Sequence, residues 1–202
     1  MITREELNEY MKCADDVEYF IETYVKVWHP VEGLISIELN DFQKEAVEDF
    51  KAKRFFAKTT YRQKGKTTLA AALILHETLF QEYKRNAIMA PKLQASIHIL
   101  ERISNMYDHL PDFLKLTKIE KRNKTELVFD NSSEIRAVGS NVDHLRGMGL
   151  CNIYLDESDF IQDLRHVIEC LYPVVASNLN GGRIFAFTTS FTSDAFEERL
   201  AA

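Results

Sequence analysis

The stretch Thr59-Thr60-Tyr61-Arg62-Gln63-Lys64-Gly65-Lys66-Thr67-Thr68 constrains this chain more than any other. The apolar run Arg54-Phe55-Phe56-Ala57-Lys58 reads as a strand entering it. A long apolar run from Leu69 to Tyr83 reads as a buried helix leaving it. Strand, tight loop, Gly-Lys-Thr and helix, in that order, make the context of a phosphate-binding loop. The physical reason is that the loop's backbone N–H groups and the positive end of the helix dipole converge on one spot and favour an anion there. In this reading Thr60, Tyr61, Arg62, Gln63, Lys64, Gly65, Lys66, Thr67 and Thr68 surround a nucleotide's phosphates. Lys66 reaches the outer phosphates and the Thr67 hydroxyl ligates Mg²⁺. The pattern departs from the usual one at Thr60, which stands where a leading glycine is expected.

Composition narrows the setting. A chain of 202 residues, 46% hydrophobic and 28% charged, has the length and balance of an ordinary globular protein with a sizeable core. A net charge of -6 argues against a dedicated, strongly basic nucleic-acid platform. Cys13, Cys151 and Cys170 are odd in number and widely spaced, which argues for a reducing compartment rather than a disulfide scaffold. His166 and Cys170, four apart on an expected helix, are too few for a metal site and read as packing residues. The N-terminus lacks the apolar core of a signal peptide. The longest apolar run, Leu69 to Leu75, is too short to span a bilayer.

Along the chain, Thr3 and Glu6 form a capping-box pattern that starts a helix ending near Cys13. Asp15 or Asp16 caps a second helix carrying Val17, Phe20, Ile21 and Tyr24 on one face. Trp28-His29-Pro30 through Gly33 reads as a loop, and Leu34 to Ile37 as a short strand. Asn40 or Asp41 caps a helix with Gln43 in its first turn. Asn86 to Ala90 reads as a buried strand, followed by a helix with Ala95, Ile99, Ile103 and Tyr107 on one side, stopped at Leu110-Pro111-Asp112. The basic segment Lys115 to Lys124 has no interleaved aromatic residue and reads as a solvated edge. Leu127 to Val138 reads as a hairpin around Asp130-Asn131-Ser132-Ser133. A strand ends in Asp156-Glu157, a helix covers about Leu164 to Ala176, and a last buried strand from Arg183 ends in Thr188-Thr189-Ser190. This alternation implies an α/β fold, a mostly parallel central sheet with helices on both faces.

In such a sheet ligands bind beyond the carboxyl ends of the strands. The phosphate loop, Asp156-Glu157 and Thr188-Thr189-Ser190 all stand at strand ends, so neighbouring strands would gather them at one rim. Asp156 would hold Mg²⁺ through its water shell, and Glu157 would take a proton from the attacking water. Arg62 within the loop would sit against the γ-phosphate. The primary amide of Gln43 offers the donor and acceptor needed to read an adenine edge.

These features together resemble the ATPase portion of the large terminase subunits of tailed bacteriophages, most closely those of T-even-like phages. The resemblance rests on Arg62-Gln63-Lys64-Gly65-Lys66-Thr67, in which the family also lacks a leading glycine, and on Leu39-Asn40-Asp41-Phe42-Gln43, Ala90-Pro91-Lys92 to Leu100-Glu101-Arg102, Leu110-Pro111-Asp112-Phe113-Leu114, Gly139 to Gly147, Ile153-Tyr154-Leu155-Asp156-Glu157 and Thr188-Thr189-Ser190. Ser190 and Phe191 depart from the family's usual threonine-rich ending. The resemblance implies a RecA-like (ASCE) phosphate-loop fold with an N-terminal helical segment (1–40) packed on an ATPase core (41–202). It implies ATP and Mg²⁺ as cofactors and hydrolysis that drives double-stranded DNA into a capsid. It implies Arg62 as an arginine acting in cis, Arg146 as one acting across subunits, and Thr188, Thr189 and Ser190 as the coupling motif. Portal and small terminase subunit are the implied partners, in the host cytoplasm, with a monomer alone and a ring in the motor. The family's C-terminal nuclease domain has no counterpart after Ser190, so a fragment or a short gene product is expected.

Two other readings use the same residues. Asp156-Glu157-Ser158-Asp159 fits the Asp-Glu-x-Asp of a superfamily 2 helicase or translocase, of which this would be the first RecA-like domain. A nucleotide-binding switch without turnover is the other, and Glu157 argues against it.

Overall fold

A computed structural model describes residues 2–29, 31–145, 148–176 and 182–189. Thr3 caps α1 (Arg4–Asp15) through a capping box with Glu6, and Asp16 caps α2 (Val17–Tyr24) by accepting from the N–H groups of Glu18 and Tyr19. Strands β1 (Lys26–His29) and β2 (Gly33–Ser36) then form an antiparallel hairpin of their own. Trp28 and His29, expected in a loop, are therefore paired strand residues: Trp28 stands opposite Leu34. The strand was hidden because β1 is largely exposed and shows no apolar alternation. Asn40 caps α3 (Asp41–Ala52) in a second capping box, with Gln43 as its partner.

The main sheet begins with β3 (Phe55–Thr59), which feeds the phosphate loop and α4 (Lys66–Phe80). Next come β4 (Arg85–Met89), α5 (Leu93–Asp108), β5 (Ile119–Arg122), β6 (Glu126–Phe129), β7 (Glu134–Val138), β8 (Asn152–Asp156), α6 (Leu164–Ala176) and β9 (Arg183–Thr188). Among the described residues the strand order is β3-β9-β8-β4-β7-β6-β5. From β3 to β7 the neighbours are parallel; β6 and β5 add an antiparallel edge. The basic segment read as a solvated edge thus contains β5, bonded on one side to β6.

Strand residues alternate between two cores, as the period of two requires. Phe56, Ile88, Tyr154, Phe185 and Phe187 face the layer of α1 to α5. Ala57, Ala87, Met89, Ile153, Leu155, Ile184 and Ala186 face α6. Helix α4 is apolar nearly all round because it is buried nearly all round, with α2, α3 and α5 against it and the sheet beneath. The segment before Asn40 shares this core: Phe20 packs edge-on against Phe80 and His76 of α4, and His76 Nε2 bonds the Cys13 carbonyl at 2.8 Å. No described helix is long and apolar enough to cross a membrane.

Candidate active site

The strand order sets the site. β9 lies between β3 and β8, with Thr59 in register with Thr188 and Phe187 in register with Asp156. Three polar strand ends therefore sit side by side at one rim. The Thr60 N–H donates to the Thr188 carbonyl at 3.2 Å, which extends the β3–β9 ladder into the loop.

The loop turns through two left-handed residues, Gln63 (φ 63°) and Gly65 (φ 74°). Gly65 adopts a conformation that L side chains resist, and a Cβ there would lie 2.6 Å from Gln43 Nε2, so the Gln43 amide would have to shift. Gln43 is itself buried, and both ends of its amide are engaged. Its Oε1 accepts from the Asn40 N–H at 3.1 Å and its Nε2 donates to the Gly65 carbonyl at 3.3 Å. Asn40 Nδ2 also reaches the Lys64 carbonyl at 3.4 Å. The residue expected to read adenine thus clamps the start of α3 to the phosphate loop.

Lys66 is buried at the first turn of α4, and its ammonium donates to the carbonyls of Tyr61 (3.2 Å) and Thr60 (3.5 Å). Burial pushes its pKa down, against the pull of Glu157 and Asp156. Thr67 Oγ1 donates to Asp156 Oδ1 at 3.2 Å, and the buried Tyr154 hydroxyl donates to the same oxygen. Burial holds the Asp156 carboxyl above its usual range, while these hydrogen bonds act in the opposite direction. A hydroxyl and a carboxylate converging from two elements are the hard oxygen donors that suit Mg²⁺, which takes its other ligands from phosphate and water. Among the described residues no group of three or more metal-ligating side chains stands together.

Glu157 follows Asp156 with a left-handed backbone (φ 46°), which turns its side chain along the rim. Its Oε2 accepts from the Thr189 hydroxyl at 2.8 Å and the Thr189 N–H at 3.2 Å. Arg62, Lys66, Thr67, Asp156, Glu157 and Thr189 line one open cavity of about 610 Å³. Thr188 is buried in the β9 ladder beside it. Arg146 and Ser190 lie outside the described residues.

The same cavity is walled on the α5 side by residues to which the sequence gave no role at the site. Lys92 precedes α5, and Arg102 reaches across to donate to Thr68 Oγ1 at 2.9 Å. Phe160, in the short 3₁₀ turn after Glu157, closes part of the rim. Arg102 carries no local signature, since it sits in an amphipathic helix 34 residues from its partner.

Solved structures similar to this chain agree on the fold. The HK97 bacteriophage large terminase superposes with a TM-score of 0.70 at 19% identity, over 93% of this chain and 40% of that one. The Thermus phage P74-26 large terminase ATPase domain gives 0.61 at 22% identity, over 72% of this chain and 62% of that one. The UvsW helicase from bacteriophage T4 gives 0.57 at 14% identity, over 89% of this chain and 61% of that one. The arrangement is thus a RecA-like α/β fold, and the chain spans well under the full length of the terminase it matches. Within it, residues 61–171 match the family described as terminase large subunit, T4likevirus-type, N-terminal. The match takes in the phosphate loop, α5 and the Asp156-Glu157 strand end, and by it the chain belongs to that large terminase family.

Proposed function

We propose that this chain is the ATP-hydrolysing part of a DNA-packaging motor, in which Mg²⁺-dependent hydrolysis of ATP drives double-stranded DNA into a viral capsid. The observation that carries the reading is the convergence of Lys66, Thr67, Asp156 and Glu157 on one cavity, with Thr67 and Asp156 already joined at 3.2 Å. Membership of the terminase family supports the motor context.

The residues divide the work. Backbone N–H groups from Gln63 to Thr68 hold the phosphates, and Lys66 exchanges its two carbonyl partners for phosphate oxygens. Thr67 and Asp156 would hold Mg²⁺, which supplies charge neutralisation between the outer phosphates when bound. Glu157 orients the attacking water and takes its proton, a contribution of about 10²–10⁴ in rate. Arg62, exposed on the loop, supplies charge at the γ-phosphate in cis, and Arg146 does so from a neighbouring subunit; such an arginine is worth roughly 10³–10⁵. Thr188, Thr189 and Ser190 report the state of the site to the moving parts through Glu157. The segment before residue 41 braces the core. Double-stranded DNA, portal and small terminase subunit are the partners of the assembled ring in the host cytoplasm.

The similarity to UvsW favours a second reading, a helicase-type translocase. Two measurements decide. Lys66→Ala should abolish ATP binding in calorimetry; unchanged affinity would overturn the loop assignment. Hydrolysis should respond to double-stranded DNA, and stimulation by single strands with strand separation would favour the helicase reading.

A further inference from the structure

Thr68 is held in a way that the phosphate loop alone does not explain. It follows Thr67, whose hydroxyl is spent on Asp156 at 3.2 Å. One step along a helix turns a side chain by about 100°, so Thr68 faces a different direction, and Arg102 of α5 donates to its Oγ1 at 2.9 Å. A hydroxyl has one proton to give and two lone pairs to fill. Arg102 fills a lone pair, and the proton remains to be placed. The usual outlet inside a helix is the carbonyl one turn back, the bond that Thr78 makes to Ile74 at 2.7 Å in this same helix. Thr68 makes no such bond among the described residues, and it lines the phosphate cavity.

Arg102 has donors to spare as well. A guanidinium carries five N–H groups, and a single one of them is engaged, by Thr68. The adjacent carboxylate, Glu101, is turned to His98 at 3.2 Å. Among the described residues no carboxylate pairs with Arg102, nor with Lys92 at the head of the same helix. The cavity sets Arg62, Lys64, Lys66, Lys92 and Arg102 against only two carboxylates, Asp156 and Glu157. Such an excess of positive charge in one concavity draws in a polyanion.

We infer that Arg102 is a further nucleotide-binding residue: its guanidinium and the Thr68 hydroxyl together grip a phosphate that ATP and ADP share, which makes Arg102 a determinant of product release. The inference rests on the nucleotide reading above and adds to it a residue from α5. The choice of a shared phosphate follows from the hydrogen bonds. Asp156 and Glu157, engaged with Thr67 and Thr189, mark the reacting end. Among the described residues Thr68 and Arg102 bond each other and neither of those carboxylates.

Calorimetry with ATP and with ADP in the presence of Mg²⁺, and the dissociation rate of a fluorescent ADP analogue, test it. Arg102→Ala should weaken both nucleotides by a common factor of about ten, the lower end of what a hydrogen bond to a charged group contributes, because Arg102 is exposed. The ADP analogue should leave faster by about the same factor. Arg102→Lys keeps the charge without the fork and should recover only part of the loss. Thr68→Val should also weaken both nucleotides, and the double variant should lose less than the two single losses combined. A loss confined to ATP would assign Arg102 to the terminal phosphate and overturn the inference. Additive losses in the double variant would overturn the joint grip. A lowered thermal transition with unchanged affinity for both nucleotides would make Arg102 a brace between α4 and α5 and overturn it too, leaving the phosphate loop standing. Failure of the unaltered protein to bind either nucleotide would overturn the nucleotide reading itself.

Discussion

Glu157 Oε2 accepts two hydrogen bonds from Thr189, one from its hydroxyl at 2.8 Å and one from its backbone N–H at 3.2 Å. The proposed base on one strand end is thus held by the proposed coupling residue on the next, because β9 lies between β8 and the phosphate-loop strand. Glu157→Gln keeps an acceptor oxygen for Thr189 but removes the capacity to take a proton. It should leave ATP binding within a factor of about two and cut single-turnover hydrolysis by about 10²–10⁴. Thr189→Val removes the hydroxyl and keeps the N–H, so its loss should be smaller than that of Glu157→Gln. Near-normal hydrolysis in Glu157→Gln would sink the assignment of the base.

Gln43 separates two roles cleanly. A residue that reads adenine changes the preference between ATP and GTP when truncated; one that clamps the loop lowers both equally. The bonds to Asn40 and Gly65 support the second role. Gln43→Ala should therefore weaken ATP, GTP and tripolyphosphate by a common factor. Two lost neutral hydrogen bonds, at about 0.5–1.5 kcal/mol each, set the upper scale near a hundredfold. A change confined to ATP would restore the adenine-reading role.

Tyr154 is fully buried, and its hydroxyl points at the oxygen of Asp156 that Thr67 also touches. It fixes the carboxylate's rotation before any cation arrives. Tyr154→Phe keeps the ring, which stacks on Phe185 at 5.1 Å, and deletes only the donor. The Mg²⁺ concentration for half-maximal ATP tightening should rise about tenfold or more, the usual effect of losing a partner that orients a ligand. A fall in stability with an unchanged Mg²⁺ requirement would reduce Tyr154 to a packing residue.

The parts of the site that could be read from the sequence are those whose chemistry is contiguous. Gly65, Lys66 and Thr67 carry their own strand–loop–helix context, and Asp156-Glu157 ends an apolar strand that is buried at every position. Two kinds of feature could not be read. The first is pairing without burial: Lys26–His29 and Ile119–Arg122 are strands by hydrogen bonding alone, and exposed strands leave no hydrophobic period. The second is convergence across a crossover. Nothing near Arg102 announces Thr68, and nothing near Trp28 announces a groove shared with α5; β4 and the hairpin bring them together. The position of β9 between β3 and β8 is likewise a property of the assembled sheet, although the rule that ligands bind beyond the carboxyl ends of parallel strands anticipated that the three polar ends would meet.

His76 makes the core's stability depend on pH. It lies on α4, the helix that begins at Lys66, and ties it to α1 through the Cys13 carbonyl at 2.8 Å. Burial drives its pKa down to about 4. Below its ordinary pKa of about 6.5 the unfolded chain protonates this imidazole while the folded chain keeps it neutral. The unfolded state then binds more protons, so stability is full above about pH 6.5 and is lost as the pH falls towards 4. The loss from this one group is on the order of 3 kcal/mol. Urea unfolding measured from pH 7.5 to 4 should show it, and His76→Gln, which cannot titrate, should flatten the profile across that window. Nearby carboxylates titrate in both proteins and cancel in the difference. Parallel profiles for the two would mean that His76 is not the group responsible, and that the contact between α1 and the phosphate-loop helix is indifferent to acid.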